Sequence, residues 1–152
     1  MSAVTAPPPR TIAQRCADVR ERLAAEHHLW IATGDGDGGA HLIPLAYAWD
    51  GTRLTVATRE RNKTVRNVVR SGRARVALGS PTDVVVIDAT VTRSDADPHD
   101  PALDATFSRL PLDPRRVPGV VCLHLRPVRI QAWRNLPEIA GRTIMRDGRW
   151  LG

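Results

Sequence analysis

The residues best suited to chemistry lie in segment 54–67, where cationic and hydroxyl side chains follow a predicted strand, turn and helix start. The segment holds Lys63, the only lysine among 22 basic residues, and the hydroxyls of Thr58 and Thr64. Three arginines and an amide accompany them: Arg59, Arg61, Arg66 and Asn62. Because the free N–H groups of a helix start would stand beside these cations, the segment is suited to bind an anion, above all a phosphate. The alternative is a solvated basic turn without a ligand.

The size and charge of the chain narrow the class of protein. Its 152 residues predict one domain, and a composition of 42% hydrophobic and 25% charged residues is ordinary for a globular protein. The net charge of +6 favours anionic partners, either nucleic acid or a phosphorylated cofactor. Because the basic residues are spread along the chain rather than gathered in one block, we expect no nucleic-acid partner.

Several classes of site have no support in the sequence. Cys16, Cys122 and the five histidines lack metal-ligand spacing, so we expect no metal centre. The glycine-rich stretch 34–39 lacks the Walker pattern and predicts a hairpin turn. Without a nucleophile arrangement such as Ser/His/Asp, an enzymatic activity would depend on a cofactor. His124 is predicted to be a hydrogen-bonded structural residue, whereas His41 beside the glycine turn is a candidate site residue.

The N-terminus has neither a signal-peptide run nor a membrane-spanning stretch, so we expect a cytoplasmic protein without a membrane partner. Residues 1–10 predict a disordered leader and residues 11–152 a single domain. Helices are predicted from the capping residue Thr11 to the His27–His28 pair, at 63–71 between the caps Asn62 and Gly72, and at 102–110. Strands are predicted at 29–33, 41–49, 53–58, 73–78, 83–93, 120–133 and 143–151.

This close spacing of six or seven strands predicts a mainly β protein, an antiparallel β-barrel with flanking helices. Within the strand 120–133 we expect a bend at Pro127, since a central strand does not tolerate proline. Trp133 at the end of that strand predicts either core or interface packing, or a ring beside a planar cofactor.

Several segments resemble the pyridoxamine 5'-phosphate oxidase-like superfamily, the split β-barrel proteins that bind flavins and deazaflavins. Segments 29–33 and 40–45 correspond to the opening hairpin of the family. Segment 54–67 corresponds to the cofactor-phosphate segment. Segments 129–133, 138–142 and 147–151 correspond to the C-terminal tryptophan, arginine and last strand. The resemblance implies an FMN-binding-protein-like split β-barrel. It also implies a homodimer with two cofactor sites at the subunit interface.

Site residues follow from the same resemblance. Four residues match the phosphate-binding strand and turn: Thr58, Arg59, Lys63 and Thr64. Four others match the strand whose backbone borders the flavin ring: His41, Leu42, Ile43 and Pro44. Trp133 and Arg142 match C-terminal residues that reach the cofactor across the dimer.

Departures from the true oxidases alter the expected activity. Positions that are basic in those enzymes hold His41 and Ala46, and Glu138 and Ala140 replace the arginine and histidine that grip the substrate phosphate. Because an acidic side chain repels a phosphate, we expect no oxidation of pyridoxamine phosphate. The chain looks more like the deazaflavin-dependent reductase branch of actinobacteria, which also contains FMN binders. The expected function is therefore hydride transfer between FMN or the deazaflavin coenzyme F-420 and a small organic substrate. The alternative is a non-catalytic cofactor-binding protein.

Overall fold

One curled antiparallel sheet forms the body of the protein. The computed structural model describes residues 7–94 and 99–152. The strands are β1 His28–Gly34, β2 Ala40–Ala46, β3 Ala48–Trp49, β4 Leu54–Arg59, β5 Arg73–Ser80, β6 Asp83–Arg93, β7 Val120–Trp133, β8 Thr143–Arg146 and β9 Arg149–Trp150. Seven strands follow the order β2-β1-β5-β6-β7-β4-β3, while β8 pairs with β7 and β9 with β8. Because β2 lies close to β4, the sheet curls into a split β-barrel, which confirms the predicted fold class.

Local signals determine where the two longest helices begin and end. The helices are α1 Ile12–Ala25, α2 Lys63–Ser71, α3 Asp104–Ser108 after a 3-10 turn at Pro101–Leu103, and α4 Leu136–Ile139. The Thr11 hydroxyl accepts a hydrogen bond from the N–H of Gln14 at 3.1 Å. Asn62 likewise caps α2, which ends at Gly72 with a φ of 69°. These predicted caps are confirmed, whereas α4 was not predicted.

The core fills the inside of the curled sheet and is closed by one face of α1. That face contributes Cys16, Val19 and Leu23, each 1% exposed. Inward residues of the strands meet it, including Ile31, Ile87, Leu123 and Ile130. Their alternation with exposed residues along β1 and β5 explains why the strands were predictable.

The predicted strand 41–49 is divided at Tyr47. The N–H of Tyr47 donates to the carbonyl of His27 at 3.0 Å, and the buried Tyr47 hydroxyl donates to the carbonyl of Leu23 at 2.9 Å. Tyr47 therefore anchors the chain to the end of α1. At this point the chain stops pairing with β1 and begins to pair with β4.

Pro127 lies within β7, a central strand between β6 and β4, so the expectation that a central strand excludes it was wrong. The register shifts beside it, since Asp88 pairs with Arg129 and Ala89 pairs with Pro127. Val128 is the additional residue of this irregularity, and its carbonyl accepts from the N–H of Gly148 at 2.8 Å. A proline is tolerated because the ladder is interrupted there.

In the described part of the chain, no helix is long and apolar enough to cross a membrane.

Candidate cofactor site

The side-chain amide of Asn62 joins three of the predicted site residues. Its Oδ1 accepts from the N–H of Thr64 at 3.0 Å and lies 3.4 Å from Nε2 of His41. Its Nδ2 donates to the hydroxyl of Thr58 at 3.2 Å. The end of β4, the start of α2 and the start of β2 therefore meet at one place. Sequence reasoning had identified Asn62 as a helix cap and missed this connecting role.

Four exposed cations surround this turn: Arg59, Arg61, Lys63 and Arg66. We call residues 58–66 the phosphate turn. None of the four forms an ion pair with a described residue. The N–H of Thr64 and that of Val65 already bond to Asn62. The N–H of Lys63 has no hydrogen-bond partner among the described residues, and anion binding at this helix start depends mainly on side chains.

The two threonines of the phosphate turn lie beneath its cations. Thr64 is 0% exposed and Thr58 is 4% exposed. The Thr64 hydroxyl has no hydrogen-bond partner among the described residues, although it is fully buried. An unpartnered buried hydroxyl is uncommon and costly. Its position beside four cations is compatible with a phosphate-binding turn.

The strand β2 borders the phosphate turn and forms one end of the main sheet path. Its residues Leu42 and Pro44 are exposed on the outer face, whereas His41 and Ile43 are half-buried. In the described part of the protein β2 pairs only with β1, so its second edge carries free backbone groups. This edge could hydrogen-bond the polar rim of a flat ring.

Trp133 and Arg142 lie together, but far from the phosphate turn in the same chain. The Arg142 guanidinium is 5.8 Å from the centre of the Trp133 ring. Arg59 pairs with Val120 at the start of β7, whereas Trp133 ends that strand of 14 residues. At 3.3 Å per residue, roughly 40 Å of strand separates the two ends. The chain thus presents two groups of predicted site residues that it does not bring together.

Glu138 is buried among arginines rather than directed toward a ligand. It is 1% exposed, and Arg10 donates to its two oxygens at 2.8 and 3.0 Å. The N–H of Arg134 donates to it at 3.0 Å, and Arg15 lies 3.9 Å away. These contacts, above all the Arg10 hydrogen bonds, lower the pKa of Glu138 to about 2. The predicted repulsion of a phosphate by Glu138 was therefore wrong, because its charge is neutralised inside the protein.

The same contacts anchor residue 10, the last residue of the predicted leader; residues 1–6 lie outside the described residues.

The hydroxyl of Thr55 lies 2.9 Å from Nδ1 of His124, which confirms the predicted structural role of that histidine. Burial lowers the pKa of His124 and raises that of the Cys122 thiol to about 11. The described residues contain no group of three or more ligands that could hold a metal ion.

The predicted hairpin turn is confirmed between β1 and β2. The N–H of Asp35 donates to the carbonyl of Gly39 at 3.0 Å, and the Asp35 carboxylate accepts from the N–H groups of Asp37 and Gly39. These backbone bonds lower the pKa of Asp35, with smaller contributions from Arg70 and Lys63. The turn is therefore an exposed, internally hydrogen-bonded hairpin connection that contacts Arg70 of α2, rather than a phosphate loop between a strand and a helix.

The protein is a split β-barrel in which a basic turn joins a strand to a helix. A model of the pyridoxamine 5'-phosphate oxidase family matches residues 17–134, so the chain belongs to that family. The match includes β1 to β7 and the phosphate turn, but ends before Arg142. No curated protein sequence matches this chain closely enough to count as a relative.

Solved structures share the fold at low sequence identity. A putative pyridoxamine 5'-phosphate oxidase from Listeria innocua is 15% identical with a TM-score of 0.64, covering 82% of this chain and 100% of its own. A FAD-binding protein from Mesorhizobium loti is 20% identical with a TM-score of 0.62, covering 79% and 90%. An F-420 reductase is 19% identical with a TM-score of 0.60, covering 73% and 94%. At these identities the similarity establishes the fold alone.

Proposed function

We propose that the protein is an oxidoreductase that binds FMN or the deazaflavin coenzyme F-420 and transfers a hydride to or from a small organic substrate. The observation that carries this proposal is the phosphate turn, where four cations without ion-pair partners among the described residues surround a buried, unpartnered threonine hydroxyl. Family membership and the similar FAD-binding protein and F-420 reductase support a flavin or deazaflavin as the ligand.

In this proposal each group of site residues has a separate task. Lys63 and Arg59 hold the cofactor phosphate, with the hydroxyls of Thr58 and Thr64 behind them. The half-exposed start of β2, from His41 to Pro44, lies against the ring system. The cofactor supplies the hydride chemistry, while the protein binds it, orients it and limits access of water. No side chain is assigned as general acid or base.

We further propose that the protein acts as a homodimer. Trp133 and Arg142 complete the site of the partner subunit, since they lie far from the phosphate turn of their own chain. The outer face of the β1–β2 hairpin exposes two large apolar side chains, Trp30 at 49% and Leu42 at 60%, which suits a subunit contact. Two free, buried cysteines are consistent with the reducing cytoplasm.

A dimerisation experiment tests this arrangement. We expect the wild-type protein to sediment as a dimer, and a Trp30→Glu variant, changed outside the proposed cofactor strand, to sediment as a monomer with weak cofactor binding. A monomeric protein that binds cofactor with full affinity would contradict the shared site.

Oxidation of pyridoxamine phosphate is not the proposed activity. Ala140 and Glu138 stand where the oxidases carry phosphate-binding side chains, and the Glu138 carboxylate is occupied by Arg10. The structure therefore supplies no cation from these two positions to a substrate phosphate. Incubation with pyridoxamine 5'-phosphate and FMN should produce no pyridoxal phosphate above the buffer control.

A parallel fluorescence titration with FMN and with F-420 tests the cofactor. Tight binding of one with weak binding of the other identifies it, whereas binding of neither refutes the proposed function. Catalysis is then tested by mixing the loaded protein with NADPH, dithionite or candidate acceptors without oxygen. A bound cofactor that no donor or acceptor reduces or reoxidises would favour the alternative, a cofactor-binding protein without catalytic activity.

A further inference from the structure

A cavity of about 850 Å³ opens on the outer face of the sheet, beside the C-terminal end of α2. Five arginines line it, together with two aspartates: Arg70, Arg73, Arg75, Arg129 and Arg146, with Asp88 and Asp147. We call it the arginine cavity. No residue of the phosphate turn lines it, so the two basic sites lie at opposite ends of α2.

The register of the sheet explains why these arginines converge. Arg75 pairs with Asp88, and Asp88 pairs with Arg129, so the three lie in one row across β5, β6 and β7. Arg73 is exposed on the same face of β5, two residues before Arg75. The irregularity at Val128 receives a hydrogen bond from Gly148, which brings the β8–β9 turn over this row.

Three of the five guanidinium groups are already held in place. Arg75 donates to Asp88 at 2.6 Å, and Arg70 donates to the carbonyl of Gly34 at 2.6 Å. The Arg70 guanidinium also lies against Gly36, where a Cβ would come within 2.7 Å of it. When the amide oxygen of Gln131 faces the guanidinium groups, it accepts from Arg129 at 3.0 Å.

The other two arginines have no partner in the described ranges 7–94 and 99–152. The guanidinium groups of Arg73 and Arg146 form no hydrogen bond and no ion pair with described residues. The cavity therefore combines three fixed cations with two unpaired ones, and its aspartates are too few to neutralise them. Small residues complete the lining, including the hydroxyl residues Thr33, Ser71 and Thr90 and the apolar residues Ala32 and Val128.

We propose that the arginine cavity binds a small organic anion that carries at least two phosphate or carboxylate groups. Unpaired arginines favour such groups because each guanidinium donates two parallel hydrogen bonds to them. The volume suits a ligand of metabolite size. This inference does not depend on the proposed cofactor, because no residue of the phosphate turn lines the cavity.

Calorimetric titration of the full chain with two probes, tripolyphosphate and citrate, tests the proposal and distinguishes phosphate from carboxylate ligands. The test variant carries Arg73→Gln and Arg146→Gln. Its matched control carries Arg20→Gln and Arg116→Gln, two exposed arginines outside the cavity, so both variants lose the same charge. We expect wild type to bind at least one probe, the test variant to bind it at least tenfold more weakly, and the control to change by less than about twofold.

Three results would overturn the proposal. Wild-type protein that binds neither probe lacks the site. Equal weakening in the test and control variants would mean a diffuse effect of net charge. A Lys63→Gln variant should keep the probe affinity of wild type, so a tenfold loss in that variant would place the probe in the phosphate turn. Failure of FMN and F-420 to bind would refute the proposed function and leave this prediction intact.

Discussion

Two arginine-rich regions of this molecule differ in whether carboxylates compensate their positive charge. In the first, Arg10, Arg15 and Arg134 surround the buried carboxylate of Glu138. In the second, the cations of the phosphate turn are exposed and have no carboxylate partner in the described part of the chain. Both regions contain several basic residues, but only the second retains charge that is not compensated by a carboxylate. The comparison teaches that the pairing of arginines with carboxylates, rather than their number, separates a structural cluster from a candidate binding site.

The largest expected effect comes from breaking the paired region. Replacing Glu138 with Gln leaves the buried Arg15 without a carboxylate and Arg10 with only Asp18 and Asp83, so we expect the free energy of unfolding to fall by about 3 kcal/mol. Urea denaturation measures it. The matched control Glu60→Gln removes an exposed carboxylate that pairs with Arg93, and it should cost less than about 1 kcal/mol. Equal losses in the two variants would contradict the contrast between the regions.

The pH dependence of stability should identify the same carboxylate. Arg10 lowers the pKa of Glu138 to about 2, below its ordinary value of 4.5. Its contribution is therefore complete above pH 4.5 and is lost as the pH falls toward 2. We expect wild type to lose up to about 3 kcal/mol more than Glu138→Gln over this window. Parallel pH profiles for the two proteins would show that Glu138 is not the titrating group.

A smaller effect is expected at Asn62, which joins His41, Thr58 and α2. Replacement by Ala removes the helix cap and should destabilise the protein by about 1 kcal/mol. Asn62→Asp is the matched variant, since its carboxylate still caps α2 but cannot donate to Thr58. Thermal and urea unfolding should rank wild type and Asn62→Asp above Asn62→Ala. An Asn62→Ala variant as stable as wild type would exclude the capping role.

The smallest expected difference compares two glycines of the β1–β2 turn. Gly36 and Gly38 have φ values of 91° and 88°, so alanine introduces similar backbone strain at each. Only at Gly36 would the new Cβ meet the Arg70 guanidinium, whereas at Gly38 it meets nothing within 4 Å. We therefore expect Gly36→Ala to be the less stable of the two variants in urea unfolding. The difference in their free energies of unfolding should be under about 1 kcal/mol. Identical stabilities would show that Arg70 moves away without cost.

The predictable parts of the fold are those determined by neighbouring residues. Thr11 and Asn62 begin their helices and Gly72 ends one through contacts within a few residues, and alternation of apolar side chains identified the strands. The break at Tyr47 depends on Leu23 and His27, and Pro127 in a central strand depends on the register of β6. Such long-range partners leave no local pattern.

The site follows the same rule. The grouping of cations at 58–66 was predictable because these residues are consecutive, and their binding of a phosphate stays a prediction. The role of Glu138 was missed because its main partner, Arg10, lies 128 positions away. The arginine cavity was missed since its arginines come from α2, β5, β7 and β8. The alternation of Arg73 and Arg75 with buried Ala74 and Val76 was the one signal available for it.

The most direct test of the central claim measures cofactor affinity after the phosphate turn loses its cations. The test variant carries Arg59→Gln and Lys63→Gln, and the control carries Arg116→Gln and Arg149→Gln, so each loses two positive charges. Titration with FMN and with F-420 should show at least a hundredfold loss of affinity for the bound cofactor in the test variant, because each charged hydrogen bond contributes about 1.5–3 kcal/mol. The control should bind within about threefold of wild type, and both should unfold at the wild-type urea concentration. Unchanged affinity in the test variant would contradict the assignment of the phosphate turn.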